Sequence, residues 1–198
     1  MFQTFEQVVA FHGHLCMDIA LGYRVAKAAL EELSSQRPKD EELVAEVETD
    51  SCSVDAIQAV TGCTFGKGNL FYHPNGKAAY SFYDRTSKKA IRIYCHFWKG
   101  FDEGEGIDFM NQMNKVLAGK ATPEDVFTFQ KTMENISKRI LDAPAQELFT
   151  ISHIQKTPPS PARIFKSKSC DQCKEWTMET CLHQKNNKML CPSCFKST

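Results

Sequence analysis

Near the amino terminus, His12-Gly13-His14-Leu15-Cys16 gathers two imidazoles and a thiol around one glycine. Residues spaced two apart point to one side of an extended backbone, so this stretch is expected to present all three donors together. Gly13 permits a sharp bend or a close approach to a ligand. A helical pattern opens at Met17, which puts Cys16 at a helix start, where the positive end of the peptide dipoles favours a thiolate. Imidazole with thiolate is the equipment of a transition-metal centre or a nucleophilic site. The competing reading is a buried cysteine beside two structural histidines.

A second junction repeats these physics. Leu43 to Val47 alternates as a strand does and runs into Glu48-Thr49-Asp50-Ser51-Cys52-Ser53. Asp50, Ser51 and Ser53 are all capable helix caps, Val54 to Val60 has helical spacing, and Gly62 stops it. Cys52 thus lies at a helix start and Cys63 just past the far end. Each alone reads as an inert buried thiol. If Cys52 faces Cys16, the two sulfurs and the histidines become a metal or redox site. Lys67, in the glycine-rich turn Thr64 to Asn69, matches no phosphate-loop spacing, and a plain turn is the leading reading there.

The third group is the pair Cys170-Asp-Gln-Cys173 and Cys191-Pro-Ser-Cys194, separated by 17 residues. Two close cysteine pairs at this distance supply the four thiolates of a zinc site, with a redox dithiol as the alternative. Cys181 and His183 fall between the pairs and could replace a ligand, but two cysteine pairs need neither. So short a segment with few large apolar residues draws most of its folding energy from the metal. From Thr157 onward seven basic and three acidic residues give a formal +4, and zinc with four thiolates leaves +2. That is little charge for phosphate binding, so nucleic acid is not the expected partner. Trp176 and Phe195 read as packing around the metal, and a protein-contact or dimer-stabilising role fits the finger.

These groups need elements to position them. Phe2 to Phe11 has one apolar helical face, and Met17 to Leu33 is the clearest helix, its small Gly22, Ala26 and Ala29 allowing close packing. Ser34 to Pro38 is a loop. Leu70 to His73 and Ala78 to Tyr83 flank Asn75-Gly76 and predict a hairpin, followed by a strand at Ala90 to Phe97. On that strand Cys95 and His96 point to opposite faces, so one of them is core. Ile107 to Leu117 and a helix opened by Thr122-Pro123-Glu124-Asp125 follow, then a last strand at Leu148 to Ile154. Thr157-Pro-Pro-Ser-Pro161 is a stiff linker. It separates a core (1–156) from a finger (164–198), the linker itself covering 157–163.

The 198 residues carry no net charge and nine cysteines, an odd count that suits metal ligands and free thiols better than a disulfide framework. No stretch has the apolar length of a membrane span and the amino terminus lacks a secretion signal, so a cytoplasmic protein is expected.

Phe11-His-Gly-His-Leu-Cys16 with Ala20-Leu-Gly-Tyr-Arg24, Cys52-Ser-Val-Asp-Ala-Ile-Gln58 with Gly62-Cys63-Thr64, and Phe65-Gly-Lys-Gly-Asn69 together resemble the FmdE family, which takes its name from a component of formylmethanofuran dehydrogenase. Met17 stands where the family motif usually has proline. The resemblance implies an α+β core, helices packed on a mostly antiparallel sheet, that tends to dimerise. It also implies a treble-clef zinc finger in some members, and a link to formyl or one-carbon metabolism beside a molybdenum or tungsten dehydrogenase. The resulting expectation is a metal-binding protein, structural zinc in the finger and a second transition metal in the core. His14, Cys16 and Cys52 are the core ligands, with His12 and Cys63 as supporting or alternative ligands. Asp50 would orient a histidine or relay a proton, and Lys67 would meet an anionic group. The rival readings are a non-enzymatic metal-delivery or assembly factor and a zinc-finger regulatory protein.

Overall fold

In the computed structural model, which describes residues 4–34, 37–97 and 103–197, the chain divides into two compact units, Met1–Pro161 and Ala162–Thr198. Phe2, Ser35, Gln36 and residues 98–102 lie outside the described residues.

In the first unit, α1 (Phe5–His12) starts at a capping box in which Thr4 and Gln7 satisfy each other's backbone amides. It ends at Gly13, whose φ of 101° reverses the chain. α2 (Met17–Glu32) follows, then β1 (Leu43–Val47), α3 (Ser53–Thr61), β2 (Leu70–Tyr72), β3 (Ala79–Asp84) and β4 (Ala90–Cys95). α4 (Glu103–Leu117), α5 (Pro123–Asp142), the short α6 (Ala145–Leu148) and β5 (Phe149–His153) complete it. The expected last strand therefore joins the sheet, as its edge against β4.

The sheet order is β2-β1-β3-β4-β5, and β1–β2 is its parallel pair. The expected hairpin does not form: β1 sits between β2 and β3, and Gly76, at φ 67°, turns the chain in a loop passing the end of β1. Short-range turn chemistry at Asn75-Gly76 was overridden by β1, five residues all buried, which takes its place between the two strands. A parallel pair needs a crossover, and α3 supplies it. That geometry places the start of α3 at the carboxyl end of β1, where α/β crossovers present ligand sites.

Val8, Ile19, Val25, Leu30, Ile57, Phe82, Ile93 and Ile140 are among the residues that fill one core between the sheet and the helices. Arg24 ties α2 to α5 by donating to the carbonyls of Ile140 (2.7 Å) and Leu141 (2.6 Å), which the end of α5 would otherwise leave unpaired. The tightest contact joins α2 to α3. A Cβ at Gly22 would stand 2.7 Å from the Ser53 Cα and closer still to its carbonyl oxygen, so only glycine lets the two helices touch backbone to backbone.

The second unit has β6 (Ser167–Ser169) paired with β7 (Trp176–Met178), a 3-10 turn, β8 (His183–Lys185) paired with β9 (Lys188–Leu190), and α7 (Pro192–Lys196). Asn186 and Asn187 both adopt positive φ, the requirement of the tight turn that joins β8 to β9. Knuckle, hairpin and helix in this order form a treble clef.

Candidate metal centres

The local backbone around the first histidines is not extended. His12 is the last residue of α1, Gly13 reverses the chain, and Cys16 is the N-cap of α2 with its Sγ accepting from the Ile19 amide at 3.4 Å. The donors converge nonetheless, because the turn folds His14 back against His12, with ring centroids 4.4 Å apart. Cys52, N-cap of α3, arrives from the other junction through the Gly22–Ser53 contact. One ligand atom from each of His12, His14, Cys16 and Cys52 lies within 4.8 Å of the others.

Their surroundings differ. Cys16 is buried, and loss of solvent pushes its thiol up to about 12 against the smaller opposing effect of the Ile19 amide. Burial thus outweighs the helix-start field that the sequence suggested. A bound cation would reverse this balance, since a coordinated thiol ionises outright. His12 Nδ1 lies 2.8 Å from Asp55 Oδ2, while its Nε2 is buried and has no hydrogen-bond partner among the described residues. A buried imidazole nitrogen left unpaired in this way fits a lone pair reserved for a metal. His14 is exposed and Cys52 half-buried.

The carboxylate that orients a histidine is Asp55, itself held by Gln58 Nε2 at 3.2 Å, and not Asp50. Asp50 is exposed and lines the open groove of about 330 Å³ that leads to His12 and Cys52 between Thr49, Asp55 and Tyr72. Helical spacing carries the missed signal: Asp55 follows Cys52 by one turn and so shares its side of α3. Cys63 is not brought to the group. Fully buried beyond the other end of α3, it donates to the Leu43 carbonyl at 3.4 Å, with its thiol raised to about 11 by burial. Lys67 also stays away; its Nζ donates to the Asp40 carbonyl at 3.0 Å, which ties its turn to the segment before β1. Cys95 is core, raised to about 12 by desolvation. Behind Cys52, Ser51, Ser53 and Tyr80 form a hydrogen-bonded row with both links at 2.7 Å, a polar track that the sequence did not announce.

In the second unit the ligand atoms of Cys170, Cys173, Cys191 and Cys194 also lie within 4.8 Å of one another. The Cys191 amide donates to Cys170 Sγ at 3.3 Å and is the leading cause that lowers that thiol to about 6. Asp171 accepts from the Met189 amide at 2.6 Å and joins the knuckle to β9. Cys181 stands outside the group. Phe195 does pack, 4.9 Å from the His183 ring, but Trp176 is 76% exposed on β7 and takes no part in enclosing the cysteines.

Fold and donors together define an α+β protein with a His/Cys group between two helix starts and a four-cysteine treble clef at its end. The chain belongs to the FmdE family: the family model described as "FmdE, Molybdenum formylmethanofuran dehydrogenase operon" matches residues 11–150. A probable S-adenosyl-L-methionine-binding protein of Archaeoglobus fulgidus is 30% identical over 176 residues, 86% of this chain and 47% of that protein. The chain thus spans about half the length of this relative. A tungsten formylmethanofuran dehydrogenase FmdE-like protein from Syntrophus aciditrophicus, known from its crystal structure, shares the fold, with a TM-score of 0.58 at 23% identity over 98% of this chain and 90% of the other. Among the described residues no helix is long and apolar enough to cross a membrane.

Proposed function

We propose that the first unit is a metal-dependent site working on a small formyl or other one-carbon carrier, in the service of a molybdenum or tungsten formylmethanofuran dehydrogenase, and that the second unit is a zinc-stapled structural module. Zinc suits both donor sets, two imidazoles with two thiolates in the core and four thiolates in the finger. The observation that carries the reading is the convergence of His12 and His14 with Cys16 and Cys52, the thiols of two helix starts far apart in sequence. The metabolic setting is inferred from the family's description, and a cytoplasmic homodimer is part of the same reading. Metal delivery to the dehydrogenase without turnover is the second reading, favoured by the exposure of His14 at the edge of the group.

Metal analysis of the purified full chain tests this. Wild type should hold two metal ions per chain, and Cys16→Ser and Cys173→Ser one each. A Cys16→Ser protein that keeps both would remove the core centre. Turnover of formyl compounds by wild type but not by Cys16→Ser would separate catalysis from delivery.

A further inference from the structure

Four protein donors around one ion normally mark a closed, structural site, whereas a working site keeps a position open. The core group contains a structural answer to this conflict, because its two histidines are held very differently. His12 is the end residue of a helix, its side chain is 11% exposed, and Nδ1 is fixed 2.8 Å from Asp55, which Gln58 holds in turn. The hydrogen bond to the carboxylate puts the proton on Nδ1 and leaves the buried, unpartnered Nε2 as the donor. Cys16 is clamped as an N-cap and Cys52 starts a packed helix. His14 lies one residue past the reversal at Gly13, in the bend between two helices. It is exposed, its contact is with the His12 ring, and no hydrogen bond to a described residue orients it.

Resting on the metal-centre reading above, we propose that the core is a three-plus-one site. His12, Cys16 and Cys52 hold the ion, Asp55 positions His12, and His14 is the ligand that yields its place to an incoming neutral donor, an imine- or amine-type nitrogen being the chemical class it mimics. The groove beside the group suits such a ligand: it carries the carboxylates of Asp50 and Asp55 and, among the described residues, no lysine or arginine. A divalent ion with two thiolates and neutral imidazoles has no net charge, so these acids make the entrance negative and disfavour anions. The expected order of importance for the two histidines is therefore the reverse of the one read from the sequence, with His12 the anchor and His14 the labile ligand.

The test uses the full-length protein loaded with cobalt(II), with imidazole as the probe and the four-cysteine finger, closed and silent to imidazole, as internal reference. His14→Ala should keep two ions per chain, and its visible spectrum should shift on adding imidazole. Wild type should need at least about tenfold more imidazole, since a tethered side chain competes at high effective concentration. His12→Ala should hold only the finger ion. Asp55→Ala should weaken the core ion about 10–100-fold, with Asp55→Asn, which still accepts from Nδ1, falling between it and wild type. If His14→Ala loses the core ion as fully as His12→Ala, the site is closed and the proposal fails. It fails equally if His14→Ala keeps the ion but ignores imidazole, or if Asp55→Ala binds as wild type does. Retention of the core ion by Cys16→Ser would instead overturn the metal-centre reading itself.

Discussion

Two groups of four donors, each gathered within 4.8 Å, stand in opposite relations to their surroundings. Around the His/Cys group, helices and a five-stranded sheet bury a continuous apolar core that owes little to the ligands. Around the four cysteines the buried apolar residues are Leu182 and Leu190, together with ligand cysteines themselves. In the first unit the fold builds the site; in the second the site has to build the fold. A metal held by a ready-made framework is free to serve chemistry, while one that supplies the framework is not.

The largest effect that sharpens this contrast is metal removal. Chelation should strip protection from β6–β9 and α7, because apparent binding energies of about 10–16 kcal/mol are folding energy in such modules. Amides in α2, β1, β3 and β4 should stay protected from hydrogen exchange. Loss of protection in both units together would break the distinction.

A smaller effect is expected at the helix contact that makes the core group. Gly22→Ala gains helix propensity but drives a methyl group into the Ser53 backbone, which has no side-chain end to move aside. Overpacking should win and lower core stability by about 1–3 kcal/mol in urea unfolding, with core metal affinity falling and the finger ion retained. An unchanged midpoint would mean that α2 and α3 do not depend on that contact.

The smallest effect checks that ordinary ion pairs, and not metal, tune the first unit. Lys115 pairs with Asp125 at 2.6 Å, and that bond, with those from Thr122, lowers the Asp125 carboxyl to about 2. A depressed folded-state value stabilises above the unfolded value near 4 and is lost as pH falls towards 2. Metal-free protein should therefore loosen at α4 and α5 across that window, and Asp125→Asn should flatten the dependence. A profile identical in the variant would remove the pair from the account.

Much of this was legible in the sequence, for identifiable reasons. The helical repeats of α2 and α5, the cap at Thr122 and the spacing of the four cysteines are local signals, and the structure follows them. The meeting of Cys52 with Cys16 was legible only as a condition, because it depends on a crossover. The hairpin failed for the same reason: strand pairing is settled by which strand can be buried on both sides, and β1 could. Asp50 and Asp55 both sit within three residues of Cys52, and only the helix phase distinguishes the one that faces His12. Trp176 misled because a large ring in a short module suggests a core, whereas the module is too small to enclose it.

The absence of any side chain between α2 and α3 at Gly22 has a consequence for how such a centre tolerates change. The two helices that carry the sulfurs meet main chain on main chain, so their spacing at this point does not depend on the size of an intervening side chain. Residues lining the entrance can then drift and admit different guests while the chelate keeps its dimensions, as a tool handle takes interchangeable heads.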